Sequence, residues 1–239
     1  MHSELEMYLE NGARELGIEV DEKNLKLFNI YYNLLVEENK KYNLTSIVDQ
    51  KHAAIKHFVD SLTCMLVYNF EEKNVADVGS GAGFPGIPLK IMCPEMNIVL
   101  TDSVQKKVCF MDRVILELKL KKARVVQFRA EDMGRSGEYR ESFDTVVSRA
   151  VAPLNVLLEY CIPLLKVGGS FLAMKGPAAG EEIKQSGAAL KNTGAEIYEL
   201  KTINLPVLGD LRNIIIIKKI GPTPGEYPRR AGIPSKKPL

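Results

Sequence analysis

The chain is short of the residues that build metal centres and covalent frameworks. Its four cysteines, Cys64, Cys93, Cys109 and Cys161, are far apart with no C-x-x-C pair, and there are only three histidines in 239 residues. That set spells neither a zinc site nor a disulfide scaffold, and it suits a reducing compartment. Long apolar runs are missing too. The longest aliphatic run, Ile214 to Ile217, is far below the ~20 residues that span a bilayer. The start, Met-His-Ser-Glu-Leu-Glu, has no basic stretch leading into an apolar core, so the expectation is a soluble, cytoplasmic protein with no membrane contact. Nor is there an overall excess of one charge, the net being +2. What is present is 46% hydrophobic residues, enough for a full core in one α/β domain with an appendage.

The small net charge hides an asymmetry. From Lys218 to Leu239 there are six Lys or Arg against one Glu, together with Tyr227, five prolines and three glycines. Such a tail reads as stiff, extended and poor at packing. Its charge is either solvated or turned toward a polyanion.

The stretch that organises the rest is Asn74-Val-Ala-Asp-Val-Gly-Ser-Gly-Ala-Gly-Phe-Pro-Gly86. A short apolar run ending in glycines on alternate positions is the pattern of a buried strand entering a tight loop. Glycine suits that loop because it has no Cβ to hold a ligand away from the backbone. Pro85 and Pro88 fit the first turn of a following helix. Two cofactors compete for the cradle. Gly81, Gly83 and Gly86 satisfy the G-x-G-x-x-G of dinucleotide binders, but that match starts two residues late for a strand ending near Val78. Counted from the strand end, the order is Asp77, Gly79, Gly81 and Gly83 on alternate positions, with Ser80 between them. It is similar to the first motif of class I S-adenosylmethionine-dependent methyltransferases. Asp77 would then offer its carboxylate to the cofactor's ammonium, directly or through water.

Before this stretch, residues 1–70 read as helical. Leu5, Leu9, Ala13 and Leu16 recur at helical spacing, as do Leu25, Phe28, Tyr32 and Leu35 after an N-cap at Asp21. A third helix is expected to start at Thr45 or Ser46, with His57, Asp60 and Ser61 on one face as a polar cluster against the main domain. Residues 71–220 alternate strand and helix. Asn97 to Thr101 reads as a second strand ending at Asp102, the expected ribose ligand; Asp102, with Ser103 beside it, also suits the cap of the next helix. A strand from Ala123 to Phe128 delivers Ala130 and Glu131 or Asp132 as candidates for reading adenine, though Glu131 equally suits a solvated surface. A strand from Phe143 to Val147 delivers Arg149, placed to hold a phosphate or a guanine O6 or merely to anchor the next helix. Residues 153–166 read as a helix ended by Gly168-Gly169, Ser170 to Met174 as a strand leading to Lys175, and 179–192 as another helix. Strands at 195–205 and 211–219, separated by Pro206 and Gly209-Asp210, form an antiparallel hairpin. The whole predicts an α/β, Rossmann-like, mostly parallel seven-stranded sheet closed by that hairpin, with an N-terminal helical subdomain and a basic tail over 221–239.

Several segments together, Asn43-Leu-Thr, His57-x-x-Asp60-Ser61-Leu, Asp77 to Pro88, Arg129-Ala-Glu131, Ser148-Arg149-Ala, Met174-Lys175-Gly and Tyr227-Pro-Arg-Arg, resemble the glucose-inhibited division protein B family, also called ribosomal RNA small subunit methyltransferase G. The resemblance covers essentially the whole chain; Ala231 and Ile233 are tail positions outside its fixed pattern. It implies methyl transfer from S-adenosylmethionine to N7 of one guanine in 16S ribosomal RNA, either free or in the assembled small subunit. It also implies cofactor contacts at Gly79, Phe84, Asp102, Ala130, Glu131 and Arg149. Guanine N7 has a lone pair and no proton, so direct in-line transfer needs no general base and no metal. Arg149 and Lys175 are the residues expected to hold the guanine or its phosphate. An NAD(P)-dependent oxidoreductase using Gly81, Gly83 and Gly86, and an RNA-binding module with an idle cleft, stand as the alternatives.

Overall fold

The computed structural model describes residues 3–239. Helix α1, Glu4–Glu15, opens on a capping box in which Ser3 and Glu6 satisfy each other's backbone N–H groups. Helix α2, Glu22–Tyr42, is capped by Asp21, whose side chain accepts from Asn24 N–H at 2.7 Å. The buried face of α2 runs through Leu25, Phe28, Tyr31, Leu34 and Leu35. Tyr31 takes the place expected of Tyr32, which lies half out and donates to Val48 O at 2.6 Å. The third helical segment starts at a cap on Asp49, not at Thr45 or Ser46: α3, Gln50–Ala53, runs on through a π turn, Ala54–Val59, to Asp60–Leu62. The wide turn inserts an extra residue per turn just where His57 and Asp60 lie.

Seven strands follow: β1 Asn74–Val78, β2 Asn97–Asp102, β3 Ala123–Gln127, β4 Phe143–Arg149, β5 Leu165–Lys175, β6 Ala195–Asn204 and β7 Leu211–Lys219. They form one sheet in the order β3-β2-β1-β4-β5-β7-β6. The first five are parallel and β7 runs antiparallel to both neighbours. Helices cover both faces, so β1, β4 and the second half of β5 are buried on both sides, polar residues such as Asp77, Thr145 and Ser148 included. One face shares its core with α1, α2 and α3: Phe28, Tyr31, Phe58, Ile87, Leu100 and Leu172 belong to a single cluster. The chain reverses direction across the sheet between β1 and β4, so their C-terminal ends flank a crevice.

Two expectations for the second half are corrected. The helix after β4 spans Leu154–Cys161, with a short 3₁₀ turn to Leu164. Gly168 and Gly169 do not end it; they lie in an irregular stretch of β5 where the pairing with β4 jumps from Phe143–Leu165 to Thr145–Ser170. The single helix read over 179–192 is two, Ala179–Lys184 and Gly187–Thr193.

The tail is the larger departure, because it packs. Arg140 donates to the carbonyls of Thr223, Pro224 and Tyr227, and Arg135 to that of Pro228. Arg229 forms a bidentate pair with the fully buried Glu159. Arginines of the domain meet tail carbonyls and an arginine of the tail meets a buried carboxylate, so the proline-rich segment is docked by polar anchors in place of a large apolar face.

Candidate active site

At the C-terminal ends of β1, β2 and β3 lies a cavity of about 350 Å³, within the range of small-ligand sites. Its walls include Val78, Gly79, Thr101, Asp102, Ser103, Phe128, Ala130, Glu131, Ala150, Val151 and Tyr160.

The loop after β1 is laced to β2: Gly79 N–H and Ser80 N–H donate to Thr101 O at 2.9 and 3.0 Å, and Gly81 N–H donates to Asp102 Oδ2 at 3.1 Å. Gly79 has φ +72°, and a Cβ there would lie 2.5 Å from Val151 Cγ2. Glycine therefore lets the loop after β4 close against the loop after β1. Asp102 is 6% exposed and accepts from Gly81 N–H, from Val104 N–H at 2.9 Å and from Lys107 Nζ at 3.3 Å. A carboxylate offers about four acceptor positions, so one is open and a second is held by Lys107 at 3.3 Å. Asp102 thus ties the loop after β1 to the segment entering the next helix, whose N-cap is Val104 and not Asp102 or Ser103, and it lines the cavity.

Asp77 is placed differently from the expectation. Fully buried beneath the loop, it accepts from Gly86 N–H at 2.8 Å and is not among the residues that line the cavity. A Cβ on Gly86 would meet that carboxylate at 2.6 Å. Burial pushes the Asp77 carboxyl up to about 7, against the Gly86 bond, and its Oδ1 has no partner. This counts against the dinucleotide alternative: the N–H at the start of the helix Gly86–Met92, where a pyrophosphate would bind, is occupied by Asp77. Ser80 is likewise internal, donating to Asp77 O at 2.9 Å, and Gly83 abuts the Tyr31 hydroxyl. That hydroxyl donates to Ala82 O. Ser80, Gly81 and Gly83 shape the loop and do not line the cavity.

Phe84, Arg149 and Lys175 are also outside the cavity walls. Phe84 is buried, stacked on His57 with centroids 4.5 Å apart, and covered by the Arg149 guanidinium at 4.9 Å. Arg149 donates to Asp60 Oδ2 at 2.9 Å and to Lys56 O at 3.0 Å. Arg212 donates to the same Asp60 carboxylate through Nε and through Nη2, the latter at 2.8 Å. His57 also bonds to Thr45 Oγ1 at 2.9 Å; burial, and secondarily Arg149, lower it to about 3. The expected cluster of His57 and Asp60 against the main domain is present, and Arg149 is its partner. Lys175 Nζ donates to Ala152 O at 2.6 Å and pairs with Glu182 at 2.7 Å. Both cations expected to hold the guanine have internal partners here: Arg149 ties the end of β4 to the helical region, and Lys175 with Glu182 braces the turn after β4 through Ala152 O and Leu154 N–H.

Several wall residues escaped the sequence reading. Thr101, Val104, Lys107, Val151 and Tyr160 line the cavity, as do Gly232 and Ser235 from the tail. Lys107 and Tyr160 follow recognisable strand ends by a turn or two of helix, a weak signal. Nothing local marked the tail.

Comparison with known proteins decides the family. Residues 24–209 match the family model described as rRNA small subunit methyltransferase G. The chain belongs to that family. A ribosomal RNA small subunit methyltransferase G of Pelotomaculum thermopropionicum is 47% identical over 97% of each chain, and that of Desulfitobacterium hafniense is 51% identical over 95% of this chain and 94% of its own. Among solved structures, a SAM dependent methyltransferase from Aquifex aeolicus matches 70% of this chain and 93% of its own at TM-score 0.53 and 17% identity. M. jannaschii TYW2 in complex with AdoMet matches 68% and 76% at TM-score 0.53 and 14% identity. These neighbours share the class I methyltransferase fold. As a member of the family the chain is an S-adenosylmethionine-dependent methyltransferase, and its cavity fits that cofactor: a close backbone at Gly79, an acid with a spare acceptor at Asp102 and a second acid at Glu131. Among the described residues no helix is long and apolar enough to cross a membrane, and no three metal-ligating side chains come together.

Proposed function

We propose that the protein methylates N7 of a guanine in the RNA of the small ribosomal subunit, in the cytoplasm, and that Asp102 and Glu131 mark the ribose and adenine ends of its cofactor cavity. The observation that carries this is the placement of Asp102 and Gly79 on one cavity wall in a chain of this family. S-adenosylmethionine supplies the electrophilic methyl on its sulfonium. The chain's own task is then to bind, orient and keep water out. Asp102 accepts from ribose hydroxyls after Lys107 gives way. The backbone around Ala130, with Glu131, reads the purine edge. The buried Asp77 Oδ1 is the acceptor left for a water that reaches toward the cofactor's amino end.

Guanine N7 carries a lone pair and no proton, so in-line transfer needs no residue to take one. The buried neutral His57 fits that, being tied to Thr45 and Arg149 and not among the residues that line the cavity. Orientation of the two reactants can contribute up to roughly 7–11 kcal/mol. Lys175 acts through the turn after β4, which it holds at Ala152 while Val151 packs on Gly79, and Arg149 acts by fixing the end of β4 to Asp60. A-form RNA hides N7 in a groove too narrow for side chains, so the target guanine is unpaired or flipped out. Exposed Arg129 at the cavity, with Lys107 on the same lining, gives the mouth basic groups suited to phosphates.

The deciding experiment is transfer of labelled methyl from S-adenosylmethionine to deproteinised small-subunit RNA, whole small subunits and transfer RNA, followed by nucleoside analysis. Label in 7-methylguanosine from a small-subunit substrate is expected. Label in another nucleoside overturns the N7 assignment, and label in transfer RNA alone overturns the substrate.

A further inference from the structure

The cavity has a wall that comes from outside the stretch matched by the family model, which ends at residue 209. Gly232 and Ser235 of the tail line it together with Asp102, Glu131 and Tyr160. Gly232 N–H donates to Glu131 Oε1 at 2.8 Å, and Glu131 is only 4% exposed. One oxygen of the acid assigned to the purine is thus oriented by tail backbone. Two residues before Gly232's neighbour, Arg229 grips Glu159 through its backbone N–H at 2.7 Å and its guanidinium at 2.6 Å. Glu159 is fully buried and directly precedes Tyr160 on its helix, so the same anchor fixes a second cavity residue from the tail side.

We propose that the segment from Arg229 to Ser235 is part of the adenosine-binding site, and that docking of the tail and binding of the cofactor are linked. This rests on the reading of the cavity as the cofactor site. With the tail in place, Glu131 has a defined orientation and the purine end is screened from water; with the tail lifted, Glu131 and Tyr160 face solvent and the cavity loses a side. A ligand that touches both tail and domain binds the docked state more tightly, and by the same factor it holds the tail down. Because Arg230 and Lys236 flank this wall and are exposed, an RNA phosphate drawn to the tail would favour the same docked state.

The test uses the full chain with S-adenosylhomocysteine as the probe, read by calorimetric affinity and by the rate of tryptic cleavage after Arg230. Saturating ligand is expected to slow cleavage at least about fivefold, and Gly232→Pro, which deletes the N–H and cannot adopt the φ of +82°, is expected to weaken binding about fivefold or more. Asp102→Ala is the control for the cavity. If Asp102→Ala abolishes binding while cleavage is unchanged by ligand and Gly232→Pro binds normally, the tail proposal is overturned and the cavity reading stands. If Asp102→Ala binds normally, the cavity reading fails and takes the tail proposal with it. Should Gly232→Pro not fold, the protection of the unmodified chain decides.

Discussion

The guanidinium of Arg149 donates to the fully buried carboxylate of Asp60 at 2.9 Å across 89 residues of sequence. Asp60 also holds Arg212, so one carboxylate fastens the π turn of the helical region to the ends of β4 and β7. Asp60→Asn leaves two guanidiniums short of a counter-charge and is expected to destabilise the fold by about 3–5 kcal/mol. Urea melts of Asp60→Asn, Arg149→Lys and the double variant check it: additive losses would show that the two residues are not coupled.

Two buried groups bend the pH dependence of stability in opposite senses. Asp77, raised to about 7, binds its proton more tightly folded than unfolded; its favourable contribution is complete below pH ~4 and is lost as pH climbs through ~7. His57, lowered to about 3, stays neutral while an unfolded histidine charges; its contribution is complete above pH ~6.5 and is lost as pH falls toward ~3. Between pH 4 and 6.5 the two oppose one another. Relative to the parent, Asp77→Asn is expected to make stability rise more steeply with pH in that window, by on the order of 2–3 kcal/mol across it, and His57→Gln to make it fall. Identical slopes in all three proteins would refute the assignment.

Gly79→Ala should lower the melting temperature and weaken S-adenosylhomocysteine binding, with a stability loss of about 1–3 kcal/mol from the positive φ and the clash with Val151 combined. Adding Val151→Ala removes the clash and leaves the φ, so only part of the loss should return. Full recovery in the double variant would show that backbone conformation matters little there.

The strand, loop and helix order was legible because it is local. The apolar run into Gly79 and the acid at the end of β2 announce themselves within a few residues. The internal partners of Arg149 and Lys175 were not, since a cation at a strand end looks free until Asp60, far away in sequence, and Glu182, on the following helix, are brought to it. The tail was misread for the same reason. Its prolines and lysines describe an isolated chain, whereas its docking depends on Arg135, Arg140 and Glu159. Tyr31 instead of Tyr32 was a phase error of one residue on α2, and the π turn has no sequence signature at all.

Tyr31→Phe deletes the hydroxyl that donates to Ala82 O at the heart of the glycine loop. The expected cost is about 1–2 kcal/mol in stability, with an increase in the dissociation constant for S-adenosylhomocysteine and little change in far-UV circular dichroism. Unaltered affinity would mean that the loop holds its shape without α2.

That same contact sets limits on how such a protein can be shuffled or grafted. The first helices and the sheet share one apolar interior, and a phenol from one supports the ligand loop of the other. A chimera that crosses over near residue 70 inherits the floor from one parent and the loop from the other, and the two must be compatible atom by atom. The helical region is therefore heritable only together with the loop it supports, and successful exchange between relatives is expected at the tail or at surface turns before it is expected at that seam.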